Sequence, residues 1–238
     1  MRLELNLYNF ENSILEYNYN EALRQLILMK IKNIDPKVAQ VYHDDPHNAF
    51  NFSSILGRVH STRNGLVLKR GNLYISSSSK EFIFTLLKSF LKDPIIKLNL
   101  KNNPKFAVTN MRILDSIHYK PSMKFTTISP IILKNRYNVY LGITKDSSSD
   151  EVTKWINTLQ YSIKSRYHFF TNKNVDNITI IPEQPSFKTK LIKIKDRTYI
   201  CSEGKLNIAT DENTISFIND YGLGMKTKFG FGCIEEVN

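Results

Sequence analysis

Polar and apolar residues alternate over residues 2–8, with Leu3, Leu5 and Leu7 on one side, the period of a strand buried on one face. Residues 19–32 predict a helix, since Ala22, Leu23, Leu26, Ile27 and 29–31 gather around Arg24, Gln25 and Lys30. Residues 33–36 break it, and Pro36 suits the first turn of a second short helix reaching about Tyr42. A polar turn, His43-Asp44-Asp45-Pro46-His47-Asn48, leads into an extended piece over 49–56. Residues 65–68 and 73–76, joined by Lys69-Arg70-Gly71-Asn72, predict a β-hairpin. Ser78-x-x-Glu81 has the form of a capping box. It opens a helix with Ile83, Leu86, Leu87, Phe90 and Leu91 in one apolar stripe. Pro94 closes that helix, and strands follow over 95–114.

The second half repeats this order. Residues 125–132 and 137–143 read as strands, and Ser148-x-x-Glu151 caps a helix with Val152, Trp155, Ile156, Leu159 and Ile163 on one face. Strands are expected over 177–182, 187–195, 198–202 and 206–210, with Ser202-Glu203-Gly204-Lys205 as the last turn. A helix over 213–220 and a closing strand over 231–237 complete the chain. Each half therefore reads β-α-β-β-α-β. The predicted class is α+β, two tandem ferredoxin-like (RRM-like) domains over 1–115 and 116–238, the second carrying a glycine-rich loop.

Charge then narrows the partner. The chain of 238 residues has 33 Lys and Arg against 22 Asp and Glu, a net charge of +11. The excess is divided almost evenly: 16 basic and 10 acidic residues precede position 116, and 17 and 12 follow. A polyanion such as nucleic acid is the expected partner, and a small anionic ligand would not require so widespread an excess. Cys201 and Cys233 stand far apart without His or Cys at metal-ligand spacing, so neither a disulfide framework nor a metal or other cofactor is expected. No apolar run approaches membrane-spanning length and the first residues lack a signal-peptide core. A cytoplasmic protein without membrane contact is expected.

Four of the nine glycines fall between Gly222 and Gly232, in Gly222-Leu223-Gly224-Met225-Lys226-Thr227-Lys228-Phe229-Gly230-Phe231-Gly232. A tight turn between helix and strand would use some of them. Two Gly-x-Gly pairs around Lys226 and Lys228 also suit a phosphate-binding concavity of exposed amides. Lys188 and Lys190, on one face of a strand near Phe187 and Tyr199, could track a phosphate backbone, or could be a solvated face.

With that loop in place, the chain resembles the CRISPR repeat-processing endoribonucleases of the RAMP superfamily from end to end. Residues 125–131 (Phe-Thr-Thr-Ile-Ser-Pro-Ile) resemble the strand opening the family's second unit. Residues 19–23 (Tyr-Asn-Glu-Ala-Leu) resemble its first-helix entry, and 49–53 (Ala-Phe-Asn-Phe-Ser) the strand after its catalytic turn. The resemblance implies a metal-independent nuclease that cuts CRISPR repeat RNA in precursor transcripts by 2′-OH attack, leaving a 2′,3′-cyclic phosphate. It also implies RNA contacts at Gly222, Gly224, Lys226, Lys228, Gly230 and Gly232. The alternative is a non-catalytic RNA-binding subunit of a CRISPR effector complex. Homodimers occur among similar proteins, so a second copy of the chain is a further expected partner.

Histidine suits the proton transfers because its ordinary pKa lies near neutrality. The family's general base commonly sits in the turn before the Phe-x-Phe-Ser strand, which makes His43 the first candidate here and His47 the second. A histidine beside Asp44 and Asp45 would serve equally as a solvated turn residue or helix cap. Some members add a tyrosine on the first helix. Leu28 stands at that place, and nearby Lys30 could supply a cation, although a helical lysine is ordinarily solvated.

Overall fold

The structure, a computed structural model, describes residues 1–44, 49–115, 117–194 and 196–237. The chain divides into two compact units, Met1–Asp115 and Ser116–Asn238. The class is α+β.

The first unit comprises β1 (Arg2–Tyr8), α1 (Asn20–Lys32), α2 (Pro36–Asp44), β2 (Phe50–Phe52), β3 (His60–Thr62), β4 (Gly65–Val67), β5 (Arg70–Ser77), α3 (Lys80–Lys92), β6 (Ile95–Lys97) and β7 (Lys105–Leu114). Its main sheet is ordered β2-β5-β1-β7-β6, and every pairing is antiparallel. The alternation in β1 does what its period requires. Leu3, Leu5 and Leu7 lie opposite Ile75, Leu73 and Gly71 of β5. All three leucines are buried with Leu23, Ile27 and Ile31 of α1 and Phe82, Ile83 and Leu86 of α3. Burying this set supplies the main stabilisation, about 25 cal/mol for each Å² of apolar surface removed from water. The other side of β1 is polar. Glu4 accepts from Tyr74 Oη at 3.1 Å and pairs with Arg112, and Asn6 Nδ2 donates to Asn72 at 3.1 Å.

The hairpin expected over 65–76 does not form. β4 pairs with β3, while β5 crosses the sheet between β1 and β2. Gly71 is the reason its sequence misleads: it marks a close backbone approach, not a turn. A Cβ there would stand 2.8 Å from the carbonyl oxygen of Leu56, whose residue exchanges two backbone hydrogen bonds with Asn72.

The second unit comprises β8 (Ser122–Thr127), β9 (Leu133–Lys134), β10 (Tyr140–Leu141), α4 (Ser149–Thr171), β11 (Thr179–Ile194), β12 (Arg197–Ala209), α5 (Glu212–Tyr221) and β13 (Ile234–Glu236). Its main sheet is antiparallel in the order β11-β12-β8-β13. The Ser148–Glu151 capping box forms in full. In α3 the cap is Ser79, which accepts from the Phe82 amide at 3.2 Å, one residue later than the sequence pattern places it. Trp155, Leu159 and Ile163 of α4 bury against Phe125, Leu206 and Ile208 of the sheet.

The four short strands expected between 177 and 210 are two long ones. β11 and β12 pair from Thr179↔Ala209 to Ile194↔Arg197, with one register shift between Glu183 and Lys188. Residues 202–205 therefore lie inside β12 and make no turn. Gly204 is needed because the Phe187 ring sits where its Cβ would be, within 2.5 Å. From there Phe187 meets Trp155 edge-on, with ring centroids 5.4 Å apart.

Candidate nucleic-acid interface and catalytic turn

In the first unit, α2 ends at the candidate base. Tyr42, on the buried side of that helix, packs on Phe82 with centroids 4.2 Å apart. Its hydroxyl lies 3.4 Å from Ser77 Oγ, which donates to the Ala49 carbonyl at 3.1 Å. That anchor fixes the helix end and turns His43 outward, where its side chain is 63% exposed. His43 Nδ1 lies 2.6 Å from Asp44 Oδ1, and since an ionised carboxylate only accepts, Nδ1 donates. Nε2 is then left as the acceptor on an open side chain. His47 lies outside the described residues.

Lys30 is not a solvated cation. Its side chain is 1% exposed, and its ammonium donates to both the carboxylate and the carbonyl of Asp93 at 2.6 Å. Lys30 therefore ties α1 to the end of α3. The hydrogen bond from Lys30 in turn holds the Asp93 carboxyl below its ordinary value of 3.8. Leu28 is buried in the apolar core beside it.

In the second unit, Gly222, Gly224, Gly230 and Gly232 have φ of 73°, 71°, 74° and 70°, the left-handed region glycine tolerates. The tight turn and the anion concavity can now be told apart. The amides of Gly222, Leu223, Met225, Gly230 and Gly232 donate to the carbonyls of Ile218, Gly232, Ile132, Thr227 and Pro130, at 2.7–3.0 Å. They are committed to protein acceptors and form no cradle for phosphate. A Cβ at Gly232 would stand 1.8 Å from the Leu223 carbonyl oxygen, and one at Gly224 2.4 Å from that of Ile132. The glycines thus let this loop lie flat against residues 130–132, which continue from β8.

Arg166 of α4, a residue sequence reasoning passed over, holds the loop from the other side. Its guanidinium donates to the carbonyls of Gly222, Gly224 and Tyr221 at 2.8–2.9 Å, and to Thr227 Oγ1 at 3.3 Å. Burial pushes its pKa down to about 10, which leaves it charged at neutral pH. One signal was available: Arg166 follows Leu159 and Ile163 on the apolar stripe of α4, an unusual place for a cation.

The loop also carries Lys226 and Lys228. Lys226 Nζ lies over the rings of Tyr199 and Phe229, 5.3 and 5.2 Å from their centroids. Lys226 and Lys228 are both half-buried. Lys188 and Lys190 do share a strand face, but Glu203 of β12 pairs with both, at 3.6 and 2.8 Å. Their positive field is reduced accordingly. Burial, with the Glu203 charge adding, pushes the Cys201 thiol up to about 12, so it is no nucleophile at neutral pH. Among the described residues no group of three or more His, Cys, Asp or Glu side chains is placed to hold a metal ion. No helix of the described residues is long and apolar enough to cross a membrane.

Residues 114–236 match the family model for the C-terminal part of the CRISPR-associated protein Cas6, and residues 14–112 match a Cas6 N-terminal model. The chain belongs to the Cas6 family, the CRISPR repeat-processing proteins. Among curated relatives, the CRISPR-associated endoribonuclease Cas6 1 of Methanocaldococcus jannaschii is 29% identical over 242 residues, covering 100% of this chain and 93% of that relative. A solved CRISPR-associated protein Cas6 superposes with a TM-score of 0.79 at 28% identity, over 100% of this chain and 99% of that one. A Cas6-related protein of Pyrococcus furiosus gives 0.84 at 24% identity, over 100% and 98%, a likeness of fold. Two of the stretches that carried the Cas6 resemblance are bonded to each other here. Residues 125–131 receive the glycine loop, and Cys233 exchanges backbone and side-chain hydrogen bonds with Ser129.

Proposed function

We propose that this chain is a metal-independent endoribonuclease that cuts CRISPR repeat RNA in precursor transcripts. The observation that carries the reading is its end-to-end likeness to an archaeal CRISPR-associated endoribonuclease. His43 serves as general base: with Asp44 holding Nδ1–H, Nε2 takes the proton of the 2′-OH. The freed O2′ attacks phosphorus, the P–O5′ bond breaks, and a proton passes to O5′, leaving a 2′,3′-cyclic phosphate and a 5′-hydroxyl. His47 is the second candidate for proton transfer. Lys226 and Lys228 supply charge to the RNA backbone, with the glycine loop fixing where they stand. Lys188 and Lys190 contribute less because Glu203 offsets them.

Both main sheets run second, third, first, fourth in chain order, once β6 and the β3–β4 and β9–β10 ribbons are set aside. We read each unit as a ferredoxin-like domain on that basis. A second copy of the chain and the proteins of a CRISPR effector complex are the further partners of this reading, in the cytoplasm.

One observation favours the alternative of a non-cutting RNA-binding subunit. Leu28 is buried and Lys30 is held by Asp93, so neither donates a proton to the leaving oxygen. Incubation of wild type, His43→Ala and His47→Ala with CRISPR repeat RNA in EDTA separates the two. A single wild-type cut, lost in His43→Ala with binding retained, supports the nuclease. Binding without a cut by wild type supports the subunit. A cut that only His47→Ala abolishes would move the base to His47.

A further inference from the structure

Along the exposed side of α4 run two adjoining cavities that share Lys134, Thr158 and Tyr161 in their walls. One, of about 410 Å³, reaches Gly224 to Thr227 of the glycine loop. The other, of about 1100 Å³, extends to Arg136 and Tyr137 of the segment joining β9 to β10, and to Lys154 of α4. The walls carry Lys134, Arg136, Lys154, Arg166 and Lys226, and no aspartate or glutamate among the described residues. Two aromatic rings stand open there: Tyr161 is 73% exposed and Tyr137 69%. The Tyr161 side chain makes no hydrogen bond among the described residues, so its ring is held out to water. Within the groove Arg136 lies over the Tyr137 ring at 4.8 Å and donates to its hydroxyl at 2.7 Å, so a cation and a ring already stand together there.

Lys154 is paired with Asp150 at 3.5 Å and Arg166 is held by the loop carbonyls, but flat rings spaced among Lys134, Arg136 and Lys226 match the two repeating features of single-stranded nucleic acid: bases that stack and phosphates that carry negative charge. We propose that this groove is a subsite for a short single-stranded stretch of RNA. Bases stack on Tyr161 and Tyr137, while Lys134, Arg136 and Lys226 meet the phosphates. The proposal rests on the reading of the protein as a repeat-RNA nuclease and assigns the groove to nucleotides flanking the repeat. The glycine loop joins the groove to the rest of that interface through Lys226, which belongs to both.

The test compares repeat RNA alone with repeat RNA extended at its 5′ or its 3′ end by a uridine-rich single strand. Binding is read by fluorescence anisotropy on the full chain. One of the two extensions should tighten binding by about tenfold, the order expected of one or two base–aromatic stacks. Tyr161→Ala should remove most of that gain and Tyr161→Phe should keep it, since the ring and not the hydroxyl carries it. Lys134→Ala should lower the dependence of the gain on salt. A 4-thiouridine in the extension should crosslink to a peptide from α4 or from the segment joining β9 to β10. Equal binding of extended and unextended RNA by wild type overturns the proposal, as does a gain that Tyr161→Ala leaves intact. The parent reading is judged separately, by whether wild type cuts the unextended repeat. A protein that cuts the repeat but shows no extension effect has lost the groove and kept the nuclease. Saturable binding of a peptide or a second protein chain in the groove, with no RNA effect, would assign it to another class of partner and also overturn the proposal.

Discussion

The glycine loop of the second unit and the histidine turn of the first carry the two motifs most readable as function, and they are built in opposite ways. Loop amides are bonded to carbonyls of residues 130–132 and of the loop itself, and a guanidinium closes the far side. His43 stands largely in water beside Asp44, at the end of a helix that is fixed through its buried side, Val38, Ala39 and Tyr42. A loop with these amides bonded to protein carbonyls can position charges but offers little chemistry of its own through them. An exposed imidazole with one bonded nitrogen offers chemistry and contributes little to stability. The difference explains why the glycines, which look like a ligand cradle in sequence, serve as a frame.

That contrast can be broken by mutation. The largest effect is expected in the turn: His43→Ala should slow repeat cleavage about 10²–10⁴-fold, the usual worth of a general base, in single-turnover assays. Its unfolding midpoint should barely change, because an exposed side-chain contact of this kind contributes about 0–1 kcal/mol. A large loss of stability would mean that the turn is structural. In the loop the two readouts should trade places. Gly232→Ala adds a Cβ against the Leu223 carbonyl at a φ of 70° and should cost about 3 kcal/mol or more in denaturant unfolding, from overpacking and left-handed strain together. Arg166→Ala leaves three carbonyls of the loop without their donor and should cost about 2–3 kcal/mol. RNA affinity should fall with it, since Lys226 would lose its fixed position. If Arg166→Ala left stability unchanged, the loop would not be framed as described.

The smallest effect concerns Lys30 and depends on pH. The Asp93 carboxyl is held low by the hydrogen bond from Lys30, so the carboxylate contributes stability that is fully present above its ordinary value of 3.8. That contribution is lost as pH falls through the lowered folded value. Asp93→Asn should therefore be less stable than wild type at pH 7, with the gap closing in acid. A gap independent of pH would show that the Lys30 contact with the Asp93 carbonyl, and not the ion pair, is what matters.

How much of this was legible depended on whether a residue's meaning was local. The leucine alternation of β1, the apolar stripes of α3 and α4 and the Ser148–Glu151 box all report their own neighbourhood, and each became the element its period describes. Glycine was legible as a backbone requirement but not as to which one. Gly71, Gly204 and Gly232 each make room for something distant in the chain: Leu56, the Phe187 ring, and Leu223 respectively. Lysine was ambiguous for a related reason. Lys30 and Lys226 look alike in a charge count, yet one is buried on Asp93, 63 residues away, and the other lies over two aromatic rings.

By itself the sequence determined the α+β class and the family, because periodicity, capping and short motifs are written in residues close together. The tertiary structure alone decided which cations are paired with acids, which amides are already bonded and where Arg166 points. Those depend on carbonyls and carboxylates brought near by folding, and a hydrogen bond is settled by distances of about 3 Å that no spacing in the chain records.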